Sequence, residues 1–187
     1  MAIESDLFKR VLGSYPAGVT VVTAMHPDGK PRGLTSTAVS SVSASPPLLL
    51  VCVDRLSNTL PALEHSGAFV VNFLAADQED LAMRFASKSA EKFAGLEWSP
   101  SAKAGGAPIL VDRVVAHAEC RVTERIEAGD HIIFIGLIEH GVVCEGVPLM
   151  FFRHQFAPWP RRTQRDWRTP IGAISEVLVT AAIDRQG

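Results

Sequence analysis

The sequence predicts a mainly β (α+β) protein, an antiparallel, barrel-like β domain with a few inserted helices. About six or seven strand-like segments follow one another, and most are joined by short connections typical of hairpins. The helical segments are insertions, without the strict β-α alternation of a doubly wound sheet. Of the 187 residues, 47% are hydrophobic, which is enough for one domain with its own core.

Composition limits the classes of partner. The formal net charge of −2 and the lack of a Lys/Arg-rich run argue against nucleic acid or an anionic membrane. The N-terminal residues MAIESDLFKR do not resemble a signal peptide, and no apolar run approaches the ~20 residues of a membrane-spanning helix. Cys52, Cys120 and Cys144 are widely spaced, as expected of buried thiols in a reducing cytoplasm. We therefore expect a cytoplasmic protein.

The first elements are a helix and a hairpin. Residues 6–13 (DLFKRVLG) place apolar side chains at helical spacing, and Gly13 is suited to end that helix. Residues 18–24 (GVTVVTA) are mostly β-branched, and Pro27-Asp28-Gly29 supplies turn chemistry before the extended pattern resumes near Gly33.

The stretch 33–59 (GLTSTAVSSVSASPPLLLVCVDRLSNT) contains nine Ser and Thr residues around a Pro46-Pro47 break. We interpret it as two strands that carry a row of hydroxyls. On alternating strand faces these hydroxyls either hydrogen-bond the polar edge of a ring system or only face solvent. The continuous apolar run 48–53 is typical of a central strand that is buried on both faces.

A helix is predicted to start directly after this strand. Ser57, Asn58 and Thr59 are all good N-cap residues, and Pro61 suits the first turn of a helix that runs to Gly67. Two interpretations remain open for this point. Either the hydroxyls, free N–H groups and Arg55 hold a phosphate or another anion, or the residues only cap the helix.

The next elements are a strand and a second helix. Residues 69–74 are predicted as a strand. Asp77 is predicted to cap a helix that has Glu79 and Asp80 in its first turn, where acidic side chains favour the helix dipole. Lys88 falls at the C-terminal end of this helix.

The second half is predicted to be mostly β. After a loop over 94–108, residues 114–125 alternate, and the polar positions His117, Glu119, Arg121 and Thr123 are expected to face water. Across the Gly129-Asp130 turn, His131 opens the run IIFIGLIEHGVV, which is apolar on both faces and predicts cover by a second subunit. Residues 149–152 form a last short strand. The state of ISEVLVTAAI in the tail stays open.

Several common sites are not predicted. The remaining histidines show no metal-ligand spacing with one another or with the cysteines, so we expect no metal site. The sequence has no G-x-G-x-x-G, P-loop or G-x-S-x-G motif. If the protein uses nicotinamide, it does so without a Rossmann domain.

A series of segments nevertheless resembles a known family. FKRVLGSYPAGVTVVTA, GLTSTAVSSVSASPPLLLVCVDRLSNT, FVVNFLAADQEDLAMRFASK, EKFAG, GDH and PLMFFRHQF occur in the order and spacing of the flavin-reductase-like family. These are the short-chain NAD(P)H:flavin oxidoreductase components of two-component flavin-dependent monooxygenases. The resemblance covers residues 6–156. It implies a split antiparallel β-barrel of the FMN-binding type over 1–157, a homodimer with flavin near the subunit interface, and a C-terminal extension of unknown role over 158–187.

The resemblance also implies roles for residues. The nicotinamide nucleotide meets the Gly129-Asp130-His131 turn, where His131 is the candidate catalytic residue and positions the nucleotide rather than transferring protons. His154 follows the family's aromatic-Arg pair at a position where relatives commonly have Gly. The implied cofactor-binding residues are Thr35, Ser36, Thr37, Ala38, Val39, Ser41 and Val42 at the isoalloxazine and ribityl chain, Cys52 and Asp54 at the end of the next strand, Ser57, Asn58 and Thr59 with Arg84, Lys88 and Lys92 at the phosphate, and Phe152 with Arg153 at the nicotinamide.

The implied function is hydride transfer from NADH or NADPH to FMN or FAD, with diffusible reduced flavin supplied to a partner monooxygenase. Two alternatives remain. One is a flavin- or haem-binding protein of the same architecture that performs no turnover. The other is an FMN-dependent oxidase of a small organic substrate, as in the pyridoxamine-phosphate-oxidase relatives of this barrel.

Overall fold

The structure, a computed structural model, describes residues 2–158. Its helices are α1 (Ser5–Gly13), α2 (Leu60–Ser66) and α3 (Glu79–Ala86). Its strands are β1 (Ala17–Gly18), β2 (Thr20–Met25), β3 (Pro31–Ser36), β4 (Val39–Ala44), β5 (Pro47–Asp54), β6 (Ala68–Leu74), β7 (Ser99–Pro100), β8 (Pro108–Ile109), β9 (Val114–Ala128), β10 (His131–Val143), β11 (Leu149–Phe152) and β12 (Gln155–Pro158). The tail beyond Pro158, including ISEVLVTAAI, lies outside the described residues.

The main sheet has seven strands in the order β3-β2-β6-β9-β10-β5-β4, and every pair is antiparallel. This confirms the predicted class, mainly antiparallel β with few helices. The two edge strands, β3 and β4, are separated in the chain only by Thr37 and Ala38. An extended residue spans at most about 3.6 Å, so this short connection requires the sheet to curl until β3 and β4 approach each other. Among residues 2–158, β3 and β4 are not hydrogen-bonded to each other as neighbouring strands, so the sheet is not closed.

The core lies on the concave face of this sheet. Val22, Val51, Phe69 and Phe134 are essentially fully buried there, and α2 covers them with Leu63. Each such side chain contributes roughly 1.5–3 kcal/mol on burial. A second apolar cluster joins α3 to the sheet through Leu74, Leu81, Phe85 and Leu110.

The segment 99–110 covers part of the opposite face. Fully buried Asn72 of β6 donates from Nδ2 to the Pro108 carbonyl at 3.3 Å and accepts the Leu110 N–H at 2.9 Å. Thr23 donates its hydroxyl to the same Pro108 carbonyl at 2.6 Å. These bonds satisfy buried polar groups, so the predicted loop is in fact packed against the sheet.

Two predictions about the strands were wrong. Strand β5 is next to the edge strand rather than central, and β9 is the middle strand. Only Leu49, Val51 and Val53 of β5 are buried, while its other face is half-buried. On β9 the side chains alternate as predicted, but Glu119 is only 3% exposed because the segment that begins with Ser101 lies over it.

The helix ends also differ in detail from the prediction. Helix α3 begins one residue later than expected, with Gln78 rather than Asp77 at the cap position. Gly13 is the last residue of α1, and Ser14, not Gly13, caps the helix. Thr59 occupies the N-cap position of α2 without a side-chain capping bond, and Gly67 ends that helix with φ +60°. Across residues 2–158, every helix is too short or too polar to cross a membrane.

Candidate functional site

A cleft in the described part of the chain has a volume of about 520 Å³. Three segments that are far apart in sequence form most of its walls: 31–33 at the start of β3, 55–61 from the end of β5 into the first turn of α2, and 89–93 after α3. Its lining includes Arg32 and Arg55 and four of the six residues that were predicted at the phosphate, Ser57, Asn58, Thr59 and Lys92. The cleft therefore combines positive charge with hydroxyl and amide groups.

Lys92 fixes one wall of the cleft. Its Nζ donates to the Gly33 carbonyl at 3.1 Å and to the Phe85 carbonyl at 2.7 Å, which ties the segment after α3 to β3. Burial lowers the pKa of Lys92. Gly33 allows this close packing because a Cβ at that position would lie 2.7 Å from Phe85 Cε1.

Arg55 joins the cleft to the neighbouring hairpin turn. Its Nε donates to the Gly129 carbonyl at 3.0 Å, and its Nη2 lies 3.0 Å from Glu127 Oε2. Its backbone N–H donates to the Asp130 carbonyl at 3.0 Å. Hydrogen bonds from Arg55 and Arg125 lower the pKa of Glu127. The guanidinium thus lines the cleft while being held by the turn.

The connection from β5 to α2 is a series of tight turns. The Leu56 N–H donates to Asp54 Oδ1 at 2.7 Å, and the Thr59 N–H donates to Ser57 Oγ at 3.2 Å. Thr59 is 2% exposed. Local turn chemistry of this kind is common for Asp and Ser, and it presents Asn58 at the cleft surface.

His131 lies beside this connection. It is paired with Asp54 across β5 and β10, and its Nδ1 is 2.7 Å from Asp130 Oδ1. The hydrogen bond to His131 lowers the pKa of Asp130. Because Asp130 engages Nδ1, Nε2 is the nitrogen available to a ligand. The His131 side chain is 43% exposed.

The residues predicted at the flavin ring surround the bend between β3 and β4. Thr35 donates its hydroxyl to the Ala82 carbonyl at 2.6 Å, and buried Ser36 accepts the Ala38 N–H at 3.1 Å. The Cys52 N–H donates to the Ala38 carbonyl at 3.0 Å, and burial raises the pKa of the Cys52 thiol. Thus two of the predicted hydroxyls are used inside the protein. Thr37, Ala38, Ser41 and Val42 are exposed, and Val39 is half-buried.

Two predicted anion partners do not line the cleft. Arg84 donates from Nη2 to the carbonyls of Glu91 and Ala94, so it holds the loop after α3 in place. Lys88 is exposed and follows the end of α3. Conversely, Arg32 and His26 line the cleft although the sequence analysis did not select them. The two residues lie on either side of the predicted Pro27–Gly29 turn. A hairpin brings such residues close together, so this turn could have indicated that they share one site.

Phe152 and Arg153 lie apart from this cleft within one chain. Arg153 Cζ stacks over the Phe152 ring at 5.1 Å, and its N–H donates to the Gly13 carbonyl at 2.9 Å. Arg153 and His154 have φ values of +48° and +63°, the pattern of a two-residue type I′ hairpin that normally favours Gly. Together with Arg10 and Ser14 they line a second cavity of about 300 Å³.

Comparison with known proteins identifies relatives of this fold and site. A family model described as the flavin reductase like domain matches residues 12–160. The chain is 46% identical to "Flavin reductase (NADH)" of Kitasatospora aureofaciens over 169 residues, 89% of this chain and 87% of the relative. It is 34% identical to the flavin-dependent monooxygenase reductase subunit HsaB of Mycobacterium tuberculosis, over 97% of this chain and 96% of that protein.

A solved structure matches the same region. The NADH:FAD oxidoreductase SgcE6 of Streptomyces globisporus C-1027, in complex with NAD and FAD fragments, superimposes with a TM-score of 0.78 and 32% identity. The match covers 88% of this chain and 99% of that one. The chain belongs to the flavin reductase like domain family.

Proposed function

We propose that this protein is an NAD(P)H-dependent flavin reductase that transfers hydride from nicotinamide to FMN or FAD and supplies reduced flavin to a partner monooxygenase. The main observation behind this proposal is that Arg55 lines the cationic cleft and also hydrogen-bonds the turn that precedes His131. The relatives' names support the donor and the acceptor, since one is a flavin reductase that uses NADH and another was solved with NAD and FAD fragments.

The chain fits phosphate-bearing nucleotides. Lys92, Arg55 and Arg32 supply cationic groups, although Arg55 is also paired with Glu127 at 3.0 Å and Arg32 with Asp28 at 2.7 Å. Ser57 and Asn58 supply hydrogen-bonding groups at the same surface. Guanidinium and ammonium groups are the usual partners of phosphate oxygens. When bound, the flavin and the nicotinamide supply the hydride chemistry themselves. The task of the chain is therefore to bind and orient them at reacting distance.

In this proposal the residues have separate tasks. Ser57, Asn58, Thr59 and Lys92 bind the phosphate end of a nucleotide. His131, whose ring is held by Asp130, positions the nicotinamide nucleotide. The remaining predicted flavin contacts are Thr37, Ala38, Val39, Ser41 and Val42, with Cys52 and Asp54 on β5, while Phe152 and Arg153 remain proposed contacts to the nicotinamide.

We also propose that the curled sheet is a split barrel that dimerises through its outer face. Leu48 and Leu50 of β5 and Ile133, Ile135 and Leu137 of β10 are only half-buried in one chain and lie on adjacent strands. A second copy would remove this apolar row from water.

Sedimentation tests the proposed dimer. The parent protein should have twice the mass of one chain, and Ile135→Lys should give a folded monomer. A parent protein that sediments as a monomer would contradict the dimer.

The proposed partner is supported by the family, and the proposed location by the cysteines. Relatives are named as reductase subunits or components of flavin-dependent monooxygenases, so we propose a monooxygenase that receives diffusible reduced flavin. The expectation that all three thiols are buried was wrong for Cys144, which is exposed, while Cys120 is buried and Cys52 is half-buried. Three free cysteines still fit the proposed reducing cytoplasm.

Steady-state oxidation of NADH in air, with excess FMN or FAD, tests the proposed activity. Flavin-dependent NADH consumption over many turnovers is expected. A protein that binds flavin without consuming NADH would instead be a carrier. A protein whose flavin is reduced only by an organic amine or alcohol would be an oxidase of that substrate. The steady oxidation of NADH therefore separates the reductase from both alternatives.

A further inference from the structure

His117, Glu119 and His140 meet on the outer face of the main sheet. Glu119 of β9 is directly opposite His140 of β10, and His117 is two residues before Glu119 on the same strand face. One ligand atom from each of these residues lies within 4.8 Å of the other two. The three side chains therefore form one compact group, which the linear spacing of the histidines does not reveal.

Glu119 is oriented by the segment that covers the sheet. Its Oε2 accepts hydrogen bonds from the Ser101 hydroxyl and from the Lys103 N–H at 2.9 Å. Its Oε1 faces the two imidazoles, 2.8 Å from His140 Nδ1 and 3.7 Å from His117 Nε2. Only 4% of the Glu119 side chain is exposed, so the carboxylate is built into the fold.

His117 Nε2 is a second, independent observation that points to a ligand at this group. The side chain is 10% exposed, and Nε2 is buried without a hydrogen-bond partner among residues 2–158. A buried polar nitrogen without a partner costs free energy. This atom points toward Glu119 Oε1 at a distance that is too long for a hydrogen bond.

The charged groups at this place are Glu119 and Arg121, which lies two residues further along β9. Arg121 is paired with Glu139 at 2.7 Å. His140 Nδ1 lies 2.8 Å from Glu119 Oε1, so a metal ion at Nδ1 would take the place of a proton shared between these two atoms.

We propose that His117 Nε2, Glu119 Oε1 and His140 Nδ1 bind a divalent transition-metal ion of the zinc type. Two imidazole nitrogens and one carboxylate oxygen are a common donor set for Zn²⁺ and related ions. Ligand bonds of about 2.0–2.2 Å allow two donor atoms of one ion to be up to about 4 Å apart. The two distances to Glu119 Oε1 fall within this limit.

The site leaves room for water and is separate from the proposed hydride-transfer site. The His140 side chain is 52% exposed, so the outer coordination positions are open to solvent. His140 is near the far end of β10 from His131, roughly 30 Å along an extended strand. The ion would fasten β9, β10 and the covering segment at Ser101 to one another.

The test is a Co²⁺ titration of chelator-treated, tag-free full-length protein, followed by displacement with Zn²⁺. Saturable visible absorbance with one Co²⁺ per chain, lost on addition of Zn²⁺, is expected. His140→Ala should weaken binding by about tenfold or more, since even loss of an outer-shell partner of a metal ligand has that effect. Glu119→Gln should likewise weaken Co²⁺ binding, while His65→Ala, which changes an exposed histidine on α2, should leave it unchanged.

Thermal unfolding gives a second measurement. Zn²⁺ should raise the Tm of the parent and of His65→Ala but not that of His140→Ala, because a ligand that binds the folded state stabilises it. His140 is exposed, so its removal leaves the fold intact even if Glu119→Gln does not fold. The absence of a saturable Co²⁺ spectrum, or equal affinities of the parent and His140→Ala, would overturn the proposal without affecting the proposed reductase activity.

Discussion

Arg55 donates its Nε–H to the Gly129 carbonyl at 3.0 Å, across 74 positions of sequence. This bond attaches the wall of the cationic cleft to the turn that carries His131. The same guanidinium is paired with Glu127 at 3.0 Å. A single side chain thus links the proposed phosphate-binding residues to the proposed nicotinamide contact.

Arg55→Ala should impair nucleotide use more than stability. The Arg55–Glu127 pair is exposed and contributes only about 0–1 kcal/mol to folding, so the free energy of unfolding should hardly change. Hydrogen bonds to charged groups are worth about 1.5–3 kcal/mol, so the KM for NADH should rise roughly tenfold or more.

Arg125→Ala is the matched control, because Arg125 also pairs with Glu127, and with Glu64, but does not line the cleft. Steady-state kinetics and chemical denaturation of both variants check the prediction. Equal KM values for the two variants would show that Arg55 does not contact a nucleotide.

His131→Ala should affect the nicotinamide far more than the flavin. With Nδ1 held by Asp130, the ring is oriented, and loss of one hydrogen bond to a charged group should raise the KM for NADH by about tenfold. The Kd for flavin, measured by fluorescence quenching, should change little. A loss of the same size in both constants would refute the assignment.

Gly136→Ala should destabilise the protein by about 1–3 kcal/mol, the usual cost of overpacking a core. A Cβ at this position would lie 2.7 Å from Phe69 Cζ and 2.9 Å from Cys120 Cβ, in the centre of the buried sheet. Gly18→Ala is the control, because nothing lies within 4 Å of its added Cβ. Urea denaturation should show a lower midpoint for Gly136→Ala alone.

Asp28→Asn should lower the Tm in a pH-dependent way. A hydrogen bond from the Lys30 N–H, together with His26 and Arg32, lowers the pKa of Asp28 from 3.8 to about 2. A carboxyl whose pKa is lower in the folded state stabilises that state at pH values above its unfolded-state pKa. This stabilisation is lost as the pH falls through the pKa of the folded state. The Tm difference between Asp28→Asn and the parent should therefore be constant above pH 5 and shrink between about pH 4 and 2. A Tm difference that does not change with pH would show that ionisation of Asp28 does not stabilise the fold.

Local chemistry in the sequence was sufficient to predict most elements. The Pro27–Gly29 turn joins β2 to β3, and α2 ends at Gly67, whose φ of +60° favours glycine. Such signals act over a few residues, so they are visible without tertiary structure.

Burial and side-chain partners were harder to predict. Glu119 alternates with apolar neighbours as a solvent-facing residue would, but it is buried because Ser101 and Lys103 cover it from a distant segment. Arg84 is predicted at an anion, and in the structure its Nη2 donates to the carbonyls of Glu91 and Ala94 in the loop after α3. Both outcomes depend on the path of loops, which hydrophobic periodicity does not encode.

Part of the predicted phosphate site lines a single cleft. Ser57, Asn58 and Thr59 line one cleft with Lys92, as the sequence analysis implied. Arg32 and His26 were missed because their contribution depends on how the β2–β3 hairpin lies against the connection from β5 to α2. Thr35 and Ser36 stay predicted flavin contacts, although the Thr35 hydroxyl donates to the Ala82 carbonyl and Ser36 Oγ accepts the Ala38 N–H.

The most direct test of the proposed function is the absorbance of protein-bound FMN or FAD without oxygen, while NADH and then NADPH are added. We predict rapid bleaching of the visible flavin band by at least one nucleotide, and turnover when air and excess flavin are restored. Bound flavin that neither nucleotide bleaches, or no binding of FMN or FAD, would contradict the assignment of this protein as a flavin reductase.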